Sequence, residues 1–215
     1  METVRLTKFG HACVRLEKDD RTLVIDPGVM TSEAGAVMAG AEAVLITHEH
    51  FDHFDADRLL IAAAEDPRLV VYTCAGVARH LDQLGDRVRV VGDGNVFAVA
   101  GFNVTIAGAK HHFSHPDVPP VDNVGFLIDE EVFHPGDALT ILDVPTLLVP
   151  GQAPWMTVPD LISYLRTVTP RRAYAIHDGL INEWGIQVLE SVLQGEAERL
   201  GADIRRLKPG ESVEL

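Results

Sequence analysis

The run Ala43-Val44-Leu45-Ile46-Thr47-His48-Glu49-His50-Phe51-Asp52-His53 decides how this chain is read. Its first four residues are a short apolar stretch, the pattern of a strand covered on both faces. Three histidines and an aspartate follow directly. Crowded imidazoles repel one another once protonated, and a divalent cation relieves this by taking neutral ring nitrogens as ligands. Asp52 adds a hard anionic ligand. Alternate residues of an extended segment share a face, so His48 and His50 can reach one point. Asp52 and His53 come just before a helix expected near Asp55-Ala56-Asp57, where they can hold a second ion beside the first. Two ions ~3.5–4 Å apart can polarise one water between them.

Further along the chain, candidate ligands recur wherever a strand stops. The segment Gly108-Ala109-Lys110-His111-His112-Phe113-Ser114-His115 follows the expected strand Phe102 to Ala107, and any of its three histidines can complete a first metal's shell. Val132-Phe133-His134-Pro135-Gly136-Asp137 ends a strand with an acid after a glycine turn, and Tyr174-Ala175-Ile176-His177-Asp178 ends one with a histidine. A rigid sheet positions chemistry well from several strand ends.

Around these points the pattern is mostly strand in the first half. Val4 to Lys8, Cys13 to Glu17 and Thr22 to Asp26 read as an antiparallel meander, and Asn95 to Val99 with Phe102 to Ala107 as a hairpin. Val124 to Ile128, Val132 to His134, Leu147 to Val149 and Ala173 to Ile176 are further strands. Helices are expected over Ala56 to Glu65, over Gly76 to Leu84, from the cap-like Thr157-Val158-Pro159-Asp160, and from Trp184 to Leu200. The result is a layered α/β architecture of two sheets flanked by helices. With 215 residues and no linker, repeat or low-complexity tract, residues 1–215 are expected to form a single domain.

Charge and composition exclude several functions. Lys plus Arg number 18 against 32 Asp plus Glu, a net charge of −14 that opposes binding to nucleic-acid phosphates. No apolar run approaches the ~18 residues of a membrane-spanning helix. Met1 to Arg5 is not followed by the apolar core of a secretory signal. Cys13 and Cys74 read as buried thiols of a reducing compartment. The expectation is a soluble, cytoplasmic protein acting on a small molecule, with no nucleic acid and no membrane as partner. Whether it forms a homo-oligomer is left open.

Taken together, His48-Glu49-His50-Phe51-Asp52-His53 and the later ligand positions resemble the H-x-H-x-D-H signature of the metallo-β-lactamase-fold hydrolases. The likeness spans about residue 3 to residue 208, including the early aspartate of Leu23-Val24-Ile25-Asp26-Pro27-Gly28. It implies a four-layered αβ/βα sandwich with metals at one edge between the sheets. By this resemblance His48, His50 and His111 hold a first ion, His112 being the competitor of His111. Asp52, His53 and His177 hold a second, and Asp137 bridges the two. Asp26 supports the site from behind or touches it directly. The opening Phe9-Gly10-His11-Ala12-Cys13 looks like the branch of small ascorbate-6-phosphate lactonase-like hydrolases, which makes His11 a candidate substrate contact. His115 is a candidate for proton delivery, and His134 for a structural place beside Asp137.

The expected cofactors are two divalent ions, zinc first, with manganese, iron or nickel also suited to imidazole and carboxylate. The expected chemistry is attack by a metal-activated hydroxide on a small, anionic ester, lactone or phosphodiester, with Asp52 orienting the nucleophile. His50 stands where flavodiiron relatives carry glutamate, which disfavours iron redox chemistry. A one-ion enzyme and a non-catalytic metal-binding protein of the same fold are the alternatives. The substrate pocket is expected from Pro27 to Ala39, His112 to Asn123 and Gly151 to Met156, with Trp155 as a stacking residue.

Overall fold

The structure, a computed structural model, describes residues 3–215. Strands β1 (Arg5–Gly10), β2 (Cys13–Lys18) and β3 (Arg21–Ile25) form the expected antiparallel meander. From β3 the sheet continues in parallel through β4 (Ala43–Ile46), β5 (Val70–Thr73) and β6 (Val88–Val90). The second sheet repeats this plan. Strands β7 (Val96–Val99), β8 (Phe102–Ala107), β9 (Gly125–Ile128) and β10 (Val132–His134) pair antiparallel. Strands β11 (Thr146–Pro150), β12 (Arg172–Ile176) and β13 (Asp203–Arg206) then extend it in parallel. The last strand, β14 (Ser212–Glu214), returns to pair with β1, so each sheet has seven strands.

The period of two along the inner strands explains the layers. Leu148, Tyr174 and Ile176 face the first sheet and share a core with Leu6, Leu45, Phe102 and Phe126. Their neighbours Leu147, Val149, Ala173 and Ala175 face outward. There they pack against Leu161 and Leu165 of α4 (Val158–Val168) and Leu189 and Leu193 of α5 (Glu183–Leu200). The outer side of the first sheet carries α1 (Ala34–Met38) and α2 (Ala56–Glu65), which buries Leu59 and Ala63. This is the four-layered αβ/βα sandwich.

The helix starts follow their caps. Asp55 accepts from the Arg58 amide at α2, Asn182 accepts from the Gly185 amide at α5, and Thr157 with Asp160 forms a capping box at α4. The helix expected over Gly76 to Leu84 is a correction. Only one turn, α3 (Ala75–Ala78), forms, followed by a 3-10 segment over Asp82–Arg87 that breaks at Gly85. Gly76 and Gly85 bracket too short a run to hold a helix by propensity. Strands β6, β13 and β14 were not legible because each is short, carries charge and lies at a sheet edge.

Candidate metal centre

The site is built behind the end of β4, where Asp26 acts as a brace. Its carboxylate is fully buried and accepts from the Thr47 amide (2.8 Å), the Thr47 hydroxyl (2.7 Å) and Nδ1 of His53 (2.7 Å). Having given its proton to Asp26, the Thr47 hydroxyl accepts from His48 Nδ1 at 2.9 Å. Gly28 lets the chain pass here, since a Cβ on it would lie 2.2 Å from the Asp52 carbonyl oxygen. On the opposite sheet, Asn123 accepts from the Asp137 amide (3.0 Å) and donates to the Pro135 carbonyl (2.9 Å), fixing the turn that presents Asp137. Asp26, His11 and His177 all have left-handed backbone, with φ of 50°, 40° and 59°. Such strain concentrates at functional sites and is tolerated best by residues of these types.

The tautomers then decide which nitrogens face the centre. His48, His53, His111 and His177 each donate Nδ1–H to an oxygen: Thr47 Oγ1, Asp26 Oδ2, the His112 carbonyl (2.7 Å) and the Gln152 carbonyl (2.6 Å). Each therefore turns Nε2 toward the centre, where it offers a lone pair whenever the ring is neutral. These nitrogens converge on Asp137, with His53 Nε2 at 3.0 Å from Oδ1 and His177 and His111 Nε2 at 3.1 and 3.3 Å from Oδ2. Yet the Nε2 atoms of His53, His111 and His177 and Oδ1 of Asp137 are buried without any hydrogen-bond partner. They aim at shared space rather than at one another. His48 Nε2 and His50 Nδ1 lie 3.1 Å apart, near the ~3.3 Å expected of two nitrogens on one tetrahedral ion with bonds of 2.0–2.1 Å. The donors divide into two groups, His48, His50, His111 and Asp137 in one, and His11, Asp52, His53 and His177 in the other. Buried orphans of this kind are costly, and imidazole and carboxylate donors grouped in this way are of the type that holds divalent cations.

His11 differs from its group. Its Nδ1 accepts the Gly179 amide at 3.0 Å, which leaves the proton on Nε2, and Nε2 donates to Asp52 Oδ2 at 3.0 Å. With both nitrogens used it is a brace for Asp52 and offers no lone pair to a metal. Its ring is also enclosed, so the substrate contact expected for it gives way to this bracing position. His134 is likewise saturated, with Nε2 on the Ala12 carbonyl and Nδ1 accepting from Gly136. His112 lies outside the centre, its ring tilted against Trp155 at 4.9 Å. His115 is a second correction. Its side chain is mostly exposed on a loop, turned to Asp117, so proton delivery has no support in its position. Trp155 is close, but its indole N–H donates to Asp137 Oδ2 at 2.8 Å.

Sequence reasoning passed over Thr47, Asn123 and Gly179, which act through backbone amides and small side chains. It also passed over the buried brace behind His177. There Asp178 accepts from Lys8 Nζ (2.5 Å) and Arg206 Nε (2.6 Å). Lysine at 1% exposure inside a strand is a signal that could have been read only with the fold in hand.

Electrostatics separates the two groups. Burial, reinforced by neighbouring imidazoles, pushes His48 well below and His50 below the ordinary histidine value. Burial opposes protonation of His177 too, but the Asp137 and Asp52 carboxylates lift it to about 9. His53 is lifted well above its ordinary value against burial by Asp137 and Asp26. Asp52 and Asp137 are held well below the usual carboxylate range despite burial, by the imidazoles around them. A cavity of about 520 Å³ opens over the centre, with His50, Asp52, His111, Asp137 and His177 on its floor.

Comparison with known proteins places these features. A family model described as "Beta-lactamase superfamily domain" matches residues 5–177. Protein Rv0786c of Mycobacterium tuberculosis is 35% identical over 185 residues, 83% of this chain and 85% of that protein. The UPF0173 metal-dependent hydrolase MJ1163 of Methanocaldococcus jannaschii is 25% identical over 98% of this chain and 100% of its own length. Among solved structures, Igni18, a metallo hydrolase from Ignicoccus hospitalis, superposes with a TM-score of 0.73 at 22% identity, covering 99% of this chain and 98% of that one. The metallo-β-lactamase fold protein YhfI of Bacillus subtilis superposes with a TM-score of 0.76 at 15% identity, covering 100% of both chains.

Proposed function

The chain belongs to the β-lactamase superfamily domain family, and from that premise we propose that it is a binuclear metal-dependent hydrolase. The name of its M. jannaschii relative supports the hydrolase reading. The observation that carries it is the convergence on Asp137 of buried Nε2 atoms that have no hydrogen-bond partner among the described residues. His48, His50 and His111 would hold a first divalent ion, and Asp52, His53 and His177 a second, with Asp137 shared between them. Zinc suits these donors first, and manganese, iron or nickel also fit. Bound there, such ions supply Lewis acidity and bring the pKa of a water from 15.7 toward ~7.

The chain's own residues set up the rest. Asp26 and Thr47 hold Nδ1 of His53 and His48, so Nε2 is the nitrogen each turns to the centre. His11 keeps its proton on Nε2 and, through it, holds Asp52 anionic and fixed. Asp52 lines the cavity floor as an acceptor that orients the attacking group. Trp155 donates its N–H to Asp137 and closes one wall. The substrate fitting this floor is a small ester, lactone or phosphodiester. No helix among the described residues is long and apolar enough to cross a membrane, and a small molecule in the cytoplasm is the proposed partner.

The test is metal content together with turnover. Metal-loaded protein should carry two ions per chain and hydrolyse a member of a panel of p-nitrophenyl esters, lactones and bis(p-nitrophenyl) phosphate, with activity lost in His50→Ala. Loading of one ion with full turnover would favour the one-ion enzyme. Tight loading with no turnover on a broad panel would favour a binding protein.

A further inference from the structure

We infer that the substrate of this site carries a neutral, apolar body beside its scissile group, so that selectivity comes from hydrophobic walls rather than from an anion-binding pocket. The inference rests on the metal-centre reading and extends it. The floor of the cavity is polar, but Phe51, Pro154, Trp155 and Leu180 make up most of its walls, with Glu49 and Ser114 completing them. Phe51 is 60% exposed and Leu180 45%, large apolar side chains standing in solvent at the mouth of a polar centre. They are not isolated. The Val29 amide donates to the Phe51 carbonyl, which sets exposed Val29 beside Phe51. Met30 Cε packs against Gly179, next to Leu180. Val29 and Met30 thus extend the apolar side of the rim at Phe51 and Leu180, the kind of surface that marks a ligand groove.

Trp155 makes one wall rigid. Its only polar atom is tied to Asp137, and its ring lies between His112 (4.9 Å) and His111 (5.6 Å, edge-on). With the N–H satisfied inward, the remaining ring surface offers apolar contact only.

Charge points the same way. No lysine or arginine lines the cavity among the described residues, while Glu49 does. The nearby guanidinium of Arg79 is spent on Glu49. A carboxylate or phosphate on the body of the substrate, away from the metal floor, would lose its hydration there and gain no cationic partner. The net charge of −14 adds a long-range field that repels anions. An anionic substrate, as read from the sequence, is therefore disfavoured at every position except the reacting group.

Hydroxamates test this without requiring turnover, because the head group binds the metal and the tail probes the walls. Zinc-loaded protein would be titrated with acetohydroxamate, butyrohydroxamate, octanohydroxamate and benzohydroxamate, and with succinohydroxamate as the anionic tail, following heat and tryptophan fluorescence. Affinity should rise about two- to four-fold per added methylene up to the limit of the cavity. Succinohydroxamate should bind at least about ten-fold more weakly than butyrohydroxamate. Leu180→Asp should flatten the dependence on tail length, and Leu180→Lys should raise the affinity for succinohydroxamate. Equal affinities along the neutral series, or a preference for the anionic tail in the unaltered protein, overturn the inference and leave the metal centre standing. Binding of none of the hydroxamates overturns the metal-centre reading, and this inference with it.

Discussion

The two donor groups of the centre share Asp137 and sit side by side, but they are built differently. In the first, His48, His50 and His111 meet one carboxylate, and His50 is exposed at the mouth. In the second, His53 and His177 are buried among Asp26, Asp52 and Asp137, and His11 occupies the edge of Asp52. Burial and few carboxylates leave His48 and His50 with little hold on a proton. Many carboxylates give His53 and His177 a strong one. The first group is ready for a cation at neutral pH, whereas the second must release protons to accept one. Proximity of donors alone does not separate these cases; the partners of the donors do.

The sharpest break of this comparison is at the group both halves share. Asp137→Ala should remove the common ligand, lower kcat/KM by about a thousand-fold or more, and drop metal content below one ion per chain by elemental analysis. His48→Ala and His177→Ala should each remove one ion, from different halves. Substituting the brace is gentler. His11→Phe should weaken the second ion by about 10–100-fold, measured by competition with a chelator, while the first ion is unchanged. His11→Gln, which can still donate to Asp52, should recover most of that loss.

Proton competition distinguishes the halves without mutation. His177 in the metal-free chain is raised to about 9. It is therefore protonated below that pH, and a cation must displace the proton. Affinity at the second group should rise by at least about ten-fold per pH unit below pH 9, as His177 and His53 give up their protons. Calorimetry in buffers of different ionisation enthalpy should find the released proton. The first group, with His48 pushed well below the ordinary value, should show no such slope between pH 7 and 9. The smallest effect lies furthest out. Lys8→Met leaves Arg206 as the partner of Asp178 and should cost about 1–3 kcal/mol in urea unfolding, with both ions still bound.

Much of this was legible in the sequence for a physical reason. Histidine and aspartate at strand ends stand out against apolar strands, so His48 to His53, Asp137 and His177, which the fold brings together, were visible as a pattern. The alternating and continuous apolar runs marked most of the strands. What stayed hidden depends on neighbours distant in the chain. Whether His11 faces substrate or braces Asp52 turns on the Gly179 amide, 168 residues away. Whether His111 or His112 points inward turns on a hydrogen bond to a backbone carbonyl. The position of His115 depends on a loop whose sequence resembles a site and whose path leads into solvent. The apolar rim is assembled from residues of four separate loops, Val29 and Met30, Phe51, Pro154 and Trp155, and Leu180, with no local motif.

The most direct measurement is anomalous diffraction from crystals of zinc-loaded protein at the zinc edge. The account predicts two peaks flanking Asp137, one bounded by His48, His50 and His111 and the other by Asp52, His53 and His177, with His11 still donating to Asp52. Peaks elsewhere, or a peak coordinated through His11 Nε2, would contradict it.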